Sequence, residues 1–149
     1  MKKLLLILAL FSISIFLVGC GSSTSPTGNV VANTNSNMVK IPLSELSNSA
    51  SFYEYDSAGT KVRYFAVLGS DNQVHTAFDA CDVCGGSQGY VQVGSKMKCN
   101  KCGTSFEIDD IGTKNKPGGC WPSFLAHAIE DDFVLINGAD LEQNKFRFV

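Results

Sequence analysis

Five of the chain's six cysteines fall between Cys81 and Cys120. Four of them make two copies of the pattern C-x-x-C-G, Cys81-Asp82-Val83-Cys84-Gly85 and Cys99-Asn100-Lys101-Cys102-Gly103, with 14 residues between the two cysteine pairs. Two cysteines three positions apart on a tight turn can aim both sulfurs at one point. A glycine after the second can take a positive φ, which turns backbone amides toward the sulfurs. Two such knuckles facing each other supply four soft, negatively charged ligands. Zinc accepts that set as a closed tetrahedral site, and iron accepts it as a single ion or as an iron-sulfur cluster. Two disulfides, or a redox-active dithiol, are the other uses of the same residues. One C-x-x-C alone carries little weight, whereas the duplicated pattern at this spacing points to metal on Cys81, Cys84, Cys99 and Cys102.

The neighbouring residues add candidates of lower specificity. Cys120 lies 18 residues beyond Cys102 in a glycine-rich stretch that can fold back over the site. There it is a candidate additional ligand, or it is a buried or partner-reactive thiol. His75 and His127 each offer an imidazole, but both are read as structural. Lys96, Lys98, Lys101, Lys114 and Lys116 surround the second knuckle. They either offset the thiolate charge and guide an acidic partner, or are ordinary surface lysines. Trp121 and Tyr90 are expected to shield the site from water. No Ser-His-Asp set, phosphate loop or paired-carboxylate site is present, so an electron carrier or metal-binding protein is favoured over an enzyme.

The N-terminus sets the compartment. Met1-Lys2-Lys3 precedes an apolar run from Leu4 to Val18, and Leu17-Val18-Gly19-Cys20 looks like a lipobox. Residues 1–19 thus read as a lipoprotein signal peptide and Cys20 as the lipidated first residue of the mature protein. The run is short for a membrane span, which needs about 20 residues. The expected location is the extracytoplasmic face of the cell membrane. Once the signal is removed, ten basic residues face 14 acidic ones, a net charge of -4, which excludes nucleic acid as a partner. Exported cysteines usually pair as disulfides, yet five is an odd number, so metal on four with one over is the simpler account. The signal lacks a twin arginine. A cluster built in the cytoplasm would not cross readily in a folded chain, while zinc can bind after export.

Residues 20–48 are rich in Ser, Thr, Asn and Gly and read as a flexible tether, although Val39 to Leu43 alternates like a first strand. Residues 49–149 form the cysteine-rich domain. Within it, Ala50 to Tyr55, Lys61 to Leu68 and Val74 to Phe78 read as a strand meander ending at Cys81. Val62, Tyr64, Ala66 and Leu68 share one face of the second strand, and Phe65 and Val67 the other. Gly89 to Lys98 reads as a hairpin turning at Gly94-Ser95, and Thr104 to Ile108 as a strand. Thr113 to Cys120 reads as a loop. Leu125 to Ile129 and Phe133 to Ile136 are expected to pair, with a short Pro122 to Ile129 helix as the alternative, and Lys145 to Val149 to close the sheet. The fold class is all-β, a small sandwich or barrel with two cysteine knuckle loops.

This order of strands and knuckles, with Cys99-Asn100-Lys101-Cys102-Gly103-Thr104-Ser105-Phe106 matching a ligand pair followed by Gly-x-x-Phe, resembles a Rieske domain. Cysteines stand at both histidine positions, so the raised potential of a Rieske centre is not implied. A closer likeness covers about Ala50 to Val149. Phe78-Asp79-Ala80-Cys81-Asp82-Val83-Cys84, the second knuckle, Ile111-Gly112-Thr113 and Gly118-Gly119-Cys120-Trp121-Pro122-Ser123 resemble the FtrD-like family of membrane iron-sulfur-containing proteins. That resemblance implies an iron-sulfur or other metal-binding domain outside the membrane. In some members it is associated with ferrous iron uptake and oxidation through an iron permease system. Members often carry several membrane helices ahead of this domain, so a membrane-embedded electron path is expected to come from another protein here.

Overall fold

The computed structural model describes residues 37–85, 88–112 and 120–149. The signal peptide, Cys20 and most of the tether therefore lie outside the described residues. The protein is all-β in class, with nine strands in three antiparallel three-stranded sheets among the described residues. The middle sheet contains β2 (Ser51–Ser57), β3 (Thr60–Leu68) and β4 (Val74–Phe78), with β3 at its centre. A two-residue turn joins β2 to β3, with positive φ at both Ala58 and Gly59. This turn matches strand twist, and Asp56 Oδ1 secures it by accepting the Gly59 N–H at 2.8 Å.

β3 is buried on both faces, and its alternation divides the interior into two cores. Val62, Tyr64 and Ala66 belong to one core, while Phe65 and Val67 belong to the other. A strand covered on both sides reads as a nearly unbroken apolar run, as Tyr64 to Leu68 does. The first core is closed by a sheet of β1 (Met38–Pro42), β9 (Phe133–Asn137) and β8 (Ala128–Glu130), which contributes Val39, Ile41, Val134 and Ile136. Leu141 adds to it from the short helix α1 (Gly138–Gln143). Asn137 caps that helix by accepting the Ala139 N–H at 2.9 Å. The second core lies under β5 (Tyr90–Val93), β6 (Lys96–Cys99) and β7 (Ser105–Glu107), and includes Tyr90, Met97, Cys99 and Phe106.

Three expectations are corrected. Among the described residues the strands do not close into a barrel, because stacking on the middle sheet already covers the apolar faces. Lys145 to Val149 does not form a closing strand: residues Lys145–Phe148 make a 3-10 turn. Asn144 O accepts the Arg147 N–H there, and the Phe148 ring rests 6.5 Å from that of Phe78. Nor does the alternative helix from Pro122 form. The segment instead bonds to the end of β4, with Phe78 N–H to Ser123 O at 2.9 Å and Ser123 N–H to Ala80 O at 2.8 Å. β8 and β9 pair as expected, turning at Asp131, where φ is 51°. β1 brings residues 38–42 into the ordered unit, ahead of position 49.

Candidate metal centre

β4 delivers the chain to the first knuckle, and Asp79 fixes how it arrives. The Asp79 N–H bonds to Arg63 O at 2.9 Å, which continues the β3–β4 pairing. Its carboxylate accepts the Tyr90 N–H at 2.6 Å and faces Arg63 Nε at 3.4 Å. Gly89, with φ of 66°, packs its α-carbon against that carboxylate, and a Cβ there would collide with it. Burial pushes the Asp79 carboxyl up, more than the Tyr90 amide and Arg63 bring it down. Asp79 thus clamps the start of β5 to the end of β4. Asp79→Ala would leave the buried Tyr90 N–H without its acceptor and is expected to cost about 1–3 kcal/mol. Asp79→Asn keeps an acceptor and should stay within about 1 kcal/mol of wild type by urea unfolding.

The two knuckles share one backbone design. In the first, Gly85 N–H bonds to Cys81 O at 3.0 Å, and in the second Gly103 N–H bonds to Cys99 O at 2.9 Å. Both glycines have positive φ, 70° and 77°, a conformation that costs other residues energy. The closed turn directs the Cys84 N–H onto Cys81 Sγ at 2.9 Å. In the second knuckle, Cys99 closes β6 opposite Tyr90, its N–H bonded to Thr104 O at 2.9 Å.

The sulfurs of all five cysteines gather in one cluster. Those of Cys81, Cys84 and Cys120 lie within 4.8 Å of one another, as do those of Cys84, Cys99 and Cys102. Cys84 belongs to both groups and lies 3.5 Å from Cys120 Sγ. Cys81 and Cys99 are buried, whereas Cys102 is exposed. All five are free thiols rather than disulfides. Their acidities diverge. The Thr104 hydroxyl, 3.3 Å from Cys102 Sγ, and the Thr104 amide hold Cys102 down to about 6. Burial raises Cys81, but the amides of Cys84 and Val83 outweigh it and leave its thiol lowered. Cys120 is pushed up by Cys102 and Cys84. At Cys84 the contact with Cys120 favours the thiolate, yet burial and Cys81 together push it up. So many adjacent thiols cannot all ionise without a cation.

The donor set fits such a cation. Sulfurs held 2.3 Å from one tetrahedral ion lie about 3.8 Å apart, the same scale as the spacing here. The sequence matches the family described as membrane iron-sulfur containing protein FtrD-like over residues 45–148. The chain belongs to this family. No curated protein matches the sequence. In this FtrD-like protein the all-thiol donor set agrees with the family's description, since cysteine thiolates hold iron-sulfur groups.

The second core surrounds the sulfurs. The Tyr90 hydroxyl donates to Cys120 O, and the rings of Phe106 and Trp121 lie 4.4 Å apart. Both aromatics noted in the sequence are thus partly or wholly buried beside the centre. His75 and His127 stand outside the sulfur cluster; His127 Nδ1 lies 2.8 Å from Thr76 Oγ1. Lys96 pairs with Glu107 at 2.9 Å, and Lys98 and Lys101 are exposed, while Lys114 and Lys116 lie outside the described residues. Thr104 and Asp79 were missed as supporting residues. A threonine just after C-x-x-C-G was the available signal for the first, and nothing local marked the second. Among the described residues no helix is long and apolar enough to cross a membrane.

Proposed function

We propose that this FtrD-like protein is a lipid-anchored carrier on the outer face of the cell membrane. It holds an iron-sulfur centre or iron on Cys81, Cys84, Cys99 and Cys102. It transfers electrons or handles metal in iron uptake, beside an iron permease or another redox partner. The convergence of the cysteine sulfurs in a domain of this family carries the reading. Bound iron would supply one-electron chemistry. The chain's own part is to bury Cys81 and Cys99, to donate the Cys84 amide to sulfur, and to leave Cys102 at the surface. An exposed ligand beside a water-excluding core gives a partner protein close approach on one side only. Cys20 would be the anchoring residue, with residues 20–48 as tether.

A structural zinc module that mediates protein interaction is the second reading, which the all-thiol donor set also suits. Metal analysis and a visible spectrum of protein purified without oxygen separate the two. The iron reading expects thiolate-to-iron absorption in the visible that bleaches on reduction. A colourless protein with about one zinc per chain, unfolded by chelator because metal binding and folding are linked, would establish the other.

A further inference from the structure

Three side chains outside the sulfur cluster converge from separate parts of the chain. They are Asp71 between β3 and β4, His75 on β4, and Asp109 in the 3-10 turn Ile108–Asp110 after β7, with ligand atoms within 4.8 Å of one another. The His75 residue is only 7% exposed. Its Nδ1 lies 2.8 Å from Ile111 O. A carbonyl oxygen only accepts, so Nδ1 carries a proton. In the neutral ring the lone pair then sits on Nε2, facing Asp71 Oδ1 at 3.2 Å. Either a second ring proton or a bound cation would satisfy that contact. A ring fixed by a backbone carbonyl at one nitrogen and presenting the other is the arrangement metal-ligating histidines use.

The spacing suits an ion. Two atoms each about 2.1 Å from one metal lie about 3.0 Å apart at right angles and about 3.4 Å apart at the tetrahedral angle, bracketing the observed distance. The carboxylates are already oriented, Asp71 Oδ1 by the Gln73 N–H at 2.9 Å and Asp109 Oδ1 by the Ser70 N–H at 2.8 Å. Gly69 packs against all three side chains. A Cβ there would lie 2.5 Å from Asp109 Oδ1, 2.5 Å from Asp71 Oδ1 and 2.6 Å from His75 Nε2. Only glycine lets the three side chains come so close to the backbone here.

We infer that Asp71, His75 and Asp109 form a second cation site, separate from the thiols, that takes a divalent first-row transition-metal ion. One imidazole and two carboxylates suit manganese, ferrous iron or zinc, and carry none of the softness that thiolates offer. Three protein ligands leave positions for water, so the ion is exchangeable. Six residues join His75 to Cys81, which caps their separation at about 21 Å.

The test is a manganese(II) titration of the full-length protein at neutral pH, reading the free ion by electron paramagnetic resonance. Manganese is chosen because thiolates bind it poorly. Wild type should take up one ion per chain saturably. The double variant Asp71→Asn, Asp109→Asn retains the acceptors for Gln73 and Ser70 and should bind at least tenfold more weakly, with circular dichroism and the absorption of the thiol centre unchanged. Gly69→Ala should weaken binding likewise. Absence of saturable uptake by wild type, or equal uptake by the double variant, overturns the site. Neither result depends on which metal the thiols hold.

Discussion

Cys99→Ser is expected to strip the thiol centre of its metal, with affinity falling more than about 100-fold. Changes to residues that merely support a ligand cost about 10- to 100-fold, and this one would remove a proposed ligand. Cys99 is 2% exposed and is anchored at both backbone atoms, N–H to Thr104 O and O to Gly103 N–H. Another side chain cannot move in without unfastening the end of β6. Serine preserves the size but offers a hard, protonated oxygen where a soft thiolate was needed. Metal content after desalting, read with the visible spectrum, gives the outcome. Cys120→Ser is the informative partner, and should retain the metal if four ligands suffice. Full retention in Cys99→Ser with loss in Cys120→Ser would shift the ligand set to the other group of three sulfurs.

Phe65→Ala is expected to destabilise the fold by about 3–5 kcal/mol, the usual cost of emptying a buried aromatic site. Phe65 is fully buried on the central strand. It shares the second core with Cys81, Cys99 and Met97, and its ring lies 5.6 Å from that of Phe52. The vacated space would lie in the same core as the sulfurs. Metal should therefore leave faster as well as the melting midpoint falling by more than about 10 °C. Thermal unfolding and metal release to a chelator measure the two effects. Ile129→Ala, at a side chain 52% exposed, should change stability by less than about 0.5 kcal/mol.

Much of this arrangement was legible because it is local. The period-two pattern of β3 gave both faces correctly, and the hairpin did turn at Gly94-Ser95, where Gly94 has φ of 60°. The knuckle turns follow from C-x-x-C-G itself. What was not legible depends on contacts between distant residues. Cys120, a candidate in the sequence, does join the sulfurs, but its 3.5 Å contact with Cys84 was beyond any local pattern. The clamp of Asp79 on Tyr90 spans 11 residues, and Asp71, His75 and Asp109 meet only because two sheets stack. Lys145 to Val149 alternates like a strand, but Phe148 is drawn onto the first core. α1, at six residues, was too short to give a period, though Asn137 ahead of it was a usable cap signal.

The outer sheet also sets the order in which the chain can fold. β2 to β4 pair with immediate neighbours, as do β5 to β7, so both hairpin systems can form from short contiguous segments and close quickly. β1 differs: Met38 pairs with Asn137 and Pro42 with Phe133, across almost the whole described domain. The first of the described strands must wait for nearly the last residues of the chain before it is paired. Until then Val39 and Ile41 have no sheet to join and the first core stays open on one side. The second knuckle, lying between β6 and β7, needs no such wait. Pairing around the second knuckle and final closure of the domain are therefore separable in time.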